Sequence, residues 1–83
     1  LILTKNDCPK CDKLKERMKK QNLYDLVFIH NVSEPEGMSV AAFHGVLKEN
    51  YPILLHGDKQ IFGSVISIIK YLKTLGNTKD ENK

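Results

Sequence analysis

Leu1-Ile2-Leu3-Thr4-Lys5-Asn6-Asp7-Cys8-Pro9-Lys10-Cys11 compresses a strand, a turn and the start of a helix into the opening of the chain. Residues 1–4 are apolar and partly β-branched, which predicts a short strand. Asn6-Asp7 breaks that run. Pro9 stands directly after Cys8, and proline suits the first turn of a helix because an N–H is not needed there. From Pro9 onward the apolar positions Cys11, Leu14 and Met18 recur at helical spacing among Lys, Asp, Glu and Arg. That pattern predicts a surface helix over residues 9–22 with a narrow apolar stripe, and one weak Glu16–Lys20 surface pair. Both cysteines then fall in the first turn of a helix that follows a strand.

Working outward, Leu26-Val27-Phe28-Ile29 is a continuous apolar run between Asp25 and His30-Asn31. It predicts a buried strand, parallel to the first and joined to it by the crossover helix. Ser33-Glu34-Pro35-Glu36 has the Ser-x-x-Glu spacing of a capping box, with Pro35 in the first turn. A second helix is expected over residues 35–48, with Met38, Ala41, Ala42, Phe43 and Val46 facing inwards and Gly37 and Gly45 weakening it. Ile53-Leu54-Leu55-His56 and Gln60-Ile61-Phe62 flank the turn Gly57-Asp58-Lys59 and predict a hairpin. Val65, Ile68, Ile69, Leu72 and Leu75 mark a last helix that begins at Gly63-Ser64 and is expected to end at Gly76. The order is βαβαββα: an α/β fold with a four-stranded mixed sheet flanked by three helices. A single domain over residues 1–76 and a polar tail over 77–83 complete the expected organisation.

Composition narrows the function. The 83 residues permit one domain, and a domain of this size buries only about 60% of the surface its unfolded chain exposes. A small site near the surface is expected, rather than an enclosed chamber. No apolar run is long enough to span a membrane, and the opening residues turn polar too soon for a secretory signal. The thirteen Lys and Arg residues exceed the ten Asp and Glu by three, but only Arg17 is arginine and tryptophan is absent. Nucleic-acid reading favours arginine and interleaved aromatics, so no nucleic acid and no membrane partner is expected. The positive charge serves solubility and steers an anionic partner.

Cys8 and Cys11 are the two cysteines of the chain. A disulfide between them would close too small a loop to stabilise the fold appreciably. With no export segment in view, a cytoplasmic protein is expected, and cytosolic disulfides are mostly transient and catalytic. Cys8 at the helix N-terminus meets free N–H groups and the positive end of the dipole, with Lys5 and Lys10 nearby, and all of these favour a thiolate. Cys11, one turn further in, is expected to be less exposed and to act as the resolving thiol. The pair is also half of a four-thiolate metal site. His30, His44 and His56 lack the spacing to complete one, which leaves a small metal- or iron–sulfur-binding protein, sharing its site between two chains, as the alternative. The small copper-carrier fold also places Cys-x-x-Cys after its first strand, but it lacks a second helix before the hairpin.

With Lys5-Asn6-Asp7-Cys8-Pro9-Lys10-Cys11 after the first strand and Pro52 directly before the third, the chain resembles a glutaredoxin of the thioredoxin-like superfamily. The resemblance covers residues 1–76 and implies a thioredoxin-like (glutaredoxin-type) fold and a thiol–disulfide oxidoreductase. It makes Cys8 the nucleophile and Cys11 the resolving cysteine. It makes Pro52 a cis proline facing the pair, with the backbone of Tyr51 turned out to meet an extended substrate. It assigns Lys5 to a carboxylate of glutathione, and places Pro9, Lys10, Tyr51, Gly63 and Ser64 around the substrate. Lys10 stands where tyrosine is common, Glu49-Asn50-Tyr51 replaces a threonine-valine pair, and Ser64-Val65-Ile66 replaces a glycine and acidic residues. The implied partners are disulfide-containing proteins, with glutathione or a thioredoxin-type reductase as electron donor, and the implied state is a monomer with no bound cofactor. The helix-start position predicts a Cys8 thiol pKa well below the free value of about 8.5. Ultraviolet titration of thiolate formation in the reduced protein checks it, and a midpoint near the free value would contradict it.

Overall fold

Side chains alternate across the two innermost strands and so divide the interior into two cores. The computed structural model describes residues 1–81, with side chains as far as Leu75. β1 (Ile2–Thr4) lies between β2 (Ile29–Asn31), its parallel neighbour, and β3 (Ile53–His56), its antiparallel one. β3 turns back into β4 (Lys59–Phe62), so the sheet order is β2-β1-β3-β4. α1 (Pro9–Lys20) crosses from β1 to β2, α2 (Pro35–Phe43) leads from β2 towards β3, and α3 (Val65–Glu81) follows the hairpin. This βαβαββα order with a four-stranded mixed sheet is the expected thioredoxin-like fold.

Ile2 pairs with Leu54, and both enter the core beneath α1 and α3 with Leu14, Met18, Ile68 and Leu72. Leu3 pairs with Ile53, and these two with Leu55 enter the opposite core with Val32, Ala41 and Val46. Ile2, Leu3, Ile53 and Leu54 are fully buried. Each such side chain contributes about 1.5–3 kcal/mol relative to an exposed one, which is why a sheet of such short strands holds together. Cys8 and Cys11 pack in the α2-side core, whereas Leu14 and Met18 pack in the other. α1 therefore crosses the end of the sheet and seals both.

Helix ends differ from the expected ones where the backbone turns left-handed. α1 stops at Lys20 because Asn22 has φ 56°. Its N–H meets the Lys19 carbonyl, and the Leu23 N–H returns 2.9 Å to the Met18 carbonyl. α2 stops at Phe43, not 48, by the same device. Gly45 has φ 70°, its N–H bonds the Ala42 carbonyl, and the Val46 N–H bonds the Ala41 carbonyl. In both cases the residue after the left-handed one, Leu23 or Val46, packs in the same core as the residue whose carbonyl it caps. The buried row of α2 is Gly37 and Ala41, so Met38, Ala42 and Phe43 face solvent, contrary to the inward placement expected of them.

The expected capping box is also absent. Glu34 is the N-cap of α2 without a side-chain bond, because the Ser33 hydroxyl is engaged elsewhere. β2 starts at Ile29 rather than 26. Tyr24–Leu26 forms a 3-10 turn, and Leu26 and Val27 close the core below α1 before the chain enters the sheet, leaving Phe28 exposed. α3 continues through Gly76 to Glu81 instead of ending there, since an isolated glycine costs a helix only about 1 kcal/mol. Residues 82 and 83 of the expected tail lie outside the described residues.

Gly37 lets α2 lie directly on β2. A Cβ at this position would collide with the carbonyl of Asn31 and come within 2.9 Å of the Val32 nitrogen. These are backbone atoms of a paired strand and cannot rotate away. Gly37→Ala is expected to cost about 1–3 kcal/mol of stability, read as a lower midpoint in urea denaturation.

Candidate active site

The turn between β1 and α1 is held from the neighbouring strand. Thr4 pairs with Asn31 in the parallel register, so the chain leaves both strands side by side. The Asn31 side-chain N–H donates to Asn6 Oδ1 at 2.8 Å, and Asn31 Oδ1 accepts the Ser33 N–H at 2.8 Å. Ser33 Oγ in turn accepts the Asn6 N–H at 3.0 Å. Asp7 then takes φ 53°, a left-handed conformation that aspartate tolerates better than most residues. Asn6, Asn31 and Ser33 were not singled out by the sequence. The available signal is that two parallel strands each end in a short polar segment, so these segments must be neighbours.

Asp7 delivers Cys8 to the N-cap of α1 in extended conformation, with φ −126° and ψ 96°. The Cys11 N–H donates to Cys8 Sγ at 3.1 Å, and the Asp12 N–H to the Cys8 carbonyl at 3.1 Å. Cys8 and Cys11 are joined as a disulfide with their Cα atoms 5.2 Å apart. Cys8 keeps 6% of its surface exposed and Cys11 none, the order of exposure expected from the sequence. Pro9 occupies the first helical turn, and Pro9 and Lys10 are exposed beside the pair.

A groove of about 390 Å³ opens over Cys8, lined by Lys5, Asp7, Pro9, Lys10, Glu49, Asn50 and Tyr51. The Tyr51–Pro52 peptide is cis, as expected. The Tyr51 ring shares the α2-side core with both cysteines, and Lys5 Nζ lies 5.6 Å from its centroid. The phenol O–H donates to the Leu47 carbonyl at 3.1 Å, with the Val46 carbonyl at 3.4 Å. Burial pushes its pKa up. The backbone N–H and carbonyl of Tyr51 make no hydrogen bond within the described residues. Pro52 is buried, and its carbonyl accepts the Gly63 N–H at 2.8 Å, which ties the approach to α3 against the cis segment. Ser64 Oγ accepts the Ser67 N–H at 3.2 Å and begins α3.

The expected site residues thus fall into three places. Lys5, Cys8, Pro9, Lys10 and Tyr51 line one groove. Gly63 and Ser64 line a second, which shares Lys10 with the first. Cys11 and Pro52 lie beneath the surface. Of the histidines, His56 Nδ1 bonds the Tyr71 hydroxyl, and His44 packs edge-on against Phe43. Among the described residues no three His, Cys, Asp or Glu side chains converge as metal ligands, and no helix is long and apolar enough to cross a membrane.

No family model matches the chain, and no curated protein or solved structure matches it. The strand order, mixed sheet and Cys-x-x-Cys disulfide are those of a thioredoxin-like α/β fold, consistent with the thioredoxin/glutaredoxin superfamily in general. A cysteine pair at this position on this scaffold is consistent with a redox-active site and supports a thiol-based redox enzyme of that superfamily.

Tyr51 yields a prediction of pH dependence. Its phenol holds the proton more tightly when folded than when unfolded. Its contribution to stability is therefore complete below the unfolded value of about 10 and declines as pH rises above it. Tyr51→Phe is expected to cost about 1 kcal/mol at neutral pH through the lost hydrogen bond and to flatten the alkaline decline. Urea denaturation of both proteins at neutral and alkaline pH measures the two effects.

Proposed function

We propose that this chain is a dithiol disulfide reductase of glutaredoxin type, acting on protein disulfides in the cytoplasm as a monomer. The observation that carries the reading is the Cys11 N–H aimed at Cys8 Sγ from the first turn of α1. The same donor, with the helix dipole behind it, stabilises a thiolate at Cys8 once the pair is reduced.

The Cys8 thiolate attacks one sulfur of a partner disulfide. The partner S–S bond breaks, a mixed disulfide forms on Cys8, and the departing partner thiolate takes a proton from solvent. Cys11, deprotonated, then attacks Cys8 Sγ. The second partner sulfur leaves as a thiol after protonation, and the Cys8–Cys11 disulfide remains. Two electrons have passed to the partner. Glutathione or a thioredoxin-type reductase returns the pair to two thiols. Lys5, Pro9, Lys10 and Tyr51 contact the substrate around Cys8, and the unpaired Tyr51 backbone offers it an extended docking edge beside the cis Pro52. Gly63 and Ser64 border the substrate on the α3 side.

A redox titration of metal-free protein against glutathione buffers, with acid quenching, alkylation and mass analysis, tests the reading. A reversible intramolecular disulfide with a potential between about −180 and −270 mV is expected. An adduct of glutathione on Cys8 would select glutathione as donor. Cys8→Ser is expected to abolish turnover, whereas Cys11→Ser is expected to accumulate the mixed disulfide. No intramolecular disulfide across the range, together with stoichiometric metal in the purified protein, would replace this reading with a shared metal site.

A further inference from the structure

The second groove, also of about 390 Å³, runs from Lys10 between α1 and the start of α3 and is lined further by Lys13, Arg17, Ser64 and Ile66. Lys10, Lys13 and Arg17 are spaced by three and four residues, so they form one row along α1, within about 60° of arc. That row flanks the buried stripe of Cys11, Leu14 and Met18. The helix carboxylates stand elsewhere: Asp12 and Glu16 lie on a different row, and Glu16 pairs with Lys20 at 3.5 Å. Nothing lining the groove is acidic, and the first turn of α3 carries no acidic residue. Ile66, 60% exposed, supplies an apolar wall.

We infer that this groove docks an acidic segment of the polypeptide partner, next in sequence to the cysteine that reacts with Cys8. The inference rests on the reductase reading above. Lys10 belongs to both grooves, so the chain of a partner held at Cys8 passes directly from one to the other. The row from Lys10 to Arg17 covers about 10 Å of helix, which an extended segment of roughly three residues spans. Carboxylates about three residues from the reacting cysteine therefore reach Lys13 and Arg17, and an aliphatic neighbour meets Ile66. Arg17 is half-buried, and its planar guanidinium suits a carboxylate in two-point contact. A polypeptide fits this extent better than a small free disulfide anchored by its own sulfur.

The test uses three matched cystine peptides, with acidic, neutral or lysine residues about three positions from the reacting cysteine, and free glutathione disulfide as comparator. The rate constant for reduction by the reduced protein is measured at low and high ionic strength. The acidic peptide is expected to react about tenfold faster than the neutral one at low salt, with the advantage shrinking at high salt. The double variant Lys13→Glu/Arg17→Glu, checked for folding by circular dichroism, is expected to cut the acidic-to-neutral ratio about tenfold and to favour the lysine peptide. Equal rates for all peptides, or a ratio unmoved by charge reversal, would overturn the proposal. So would an effect of charge reversal confined to glutathione disulfide, which would give the groove to that small molecule. Fluorescence anisotropy of a serine-substituted acidic peptide on the Cys8→Ser/Cys11→Ser protein separates docking from chemistry. Charge-dependent binding without reduction of any peptide would retain the docking groove and remove the reductase, whereas reduction without charge preference would do the reverse.

Discussion

The amide of Cys11 donates to the sulfur of Cys8, and the placement of everything else in the site follows from keeping that contact. A helix start leaves its first amides without partners inside the helix. Most chains satisfy one of them with a serine, threonine, aspartate or asparagine oxygen. Here a sulfur takes that position, so the Cys8 side chain is part of the helix's own termination. It stays at the positive end of α1 only while the approach from β1 keeps its sharp turn and α1 stays seated on both cores.

Those two requirements are met from opposite sides of the sheet. The α1–α3 layer anchors the body of the helix through Leu14 and Met18, while the α2 layer receives the cysteines themselves. The α2 layer also carries Tyr51, so one small core joins the disulfide to the wall of the groove above it. The parallel register of β1 and β2 brings Asn31 and Ser33 up to the turn before Cys8, and Gly37 lets α2 follow closely on that strand. The site is thus built at the edge where two strands end and two helices begin. A chain of 83 residues can form a groove over Cys8 there without enclosing a chamber.

The sequence was most informative where a pattern is local. The period of Cys11, Leu14 and Met18, the proline after Cys8 and the hairpin around Gly57 each reflect chemistry within a few neighbours, and each appears in the structure. The cis state of Pro52 came from resemblance, since X–Pro bonds are mostly trans. Tertiary competition explains the failures. Ser33 had the spacing to cap α2, but a turn 27 residues earlier claimed its hydroxyl. The apolar run at Leu26 and Val27 looked like strand, yet it lines a core outside the ladder. Phe43 continued a helical pattern that the left-handed Gly45 then ended. The Asn6–Asn31–Ser33 bridge was invisible for the same reason: its members are 25 and 27 residues apart, and only the parallel register of β1 and β2 brings them together.

That bridge consists of two amide side chains, one hydroxyl and backbone N–H groups. None of its side chains ionises in the physiological range. The mount beneath the sulfur is therefore indifferent to proton activity, and the bonds within it do not depend on a charge that salt can screen. Neutral dipoles thus hold the segment before Cys8, and the bridge keeps its bonds whatever charge the neighbouring side chains carry.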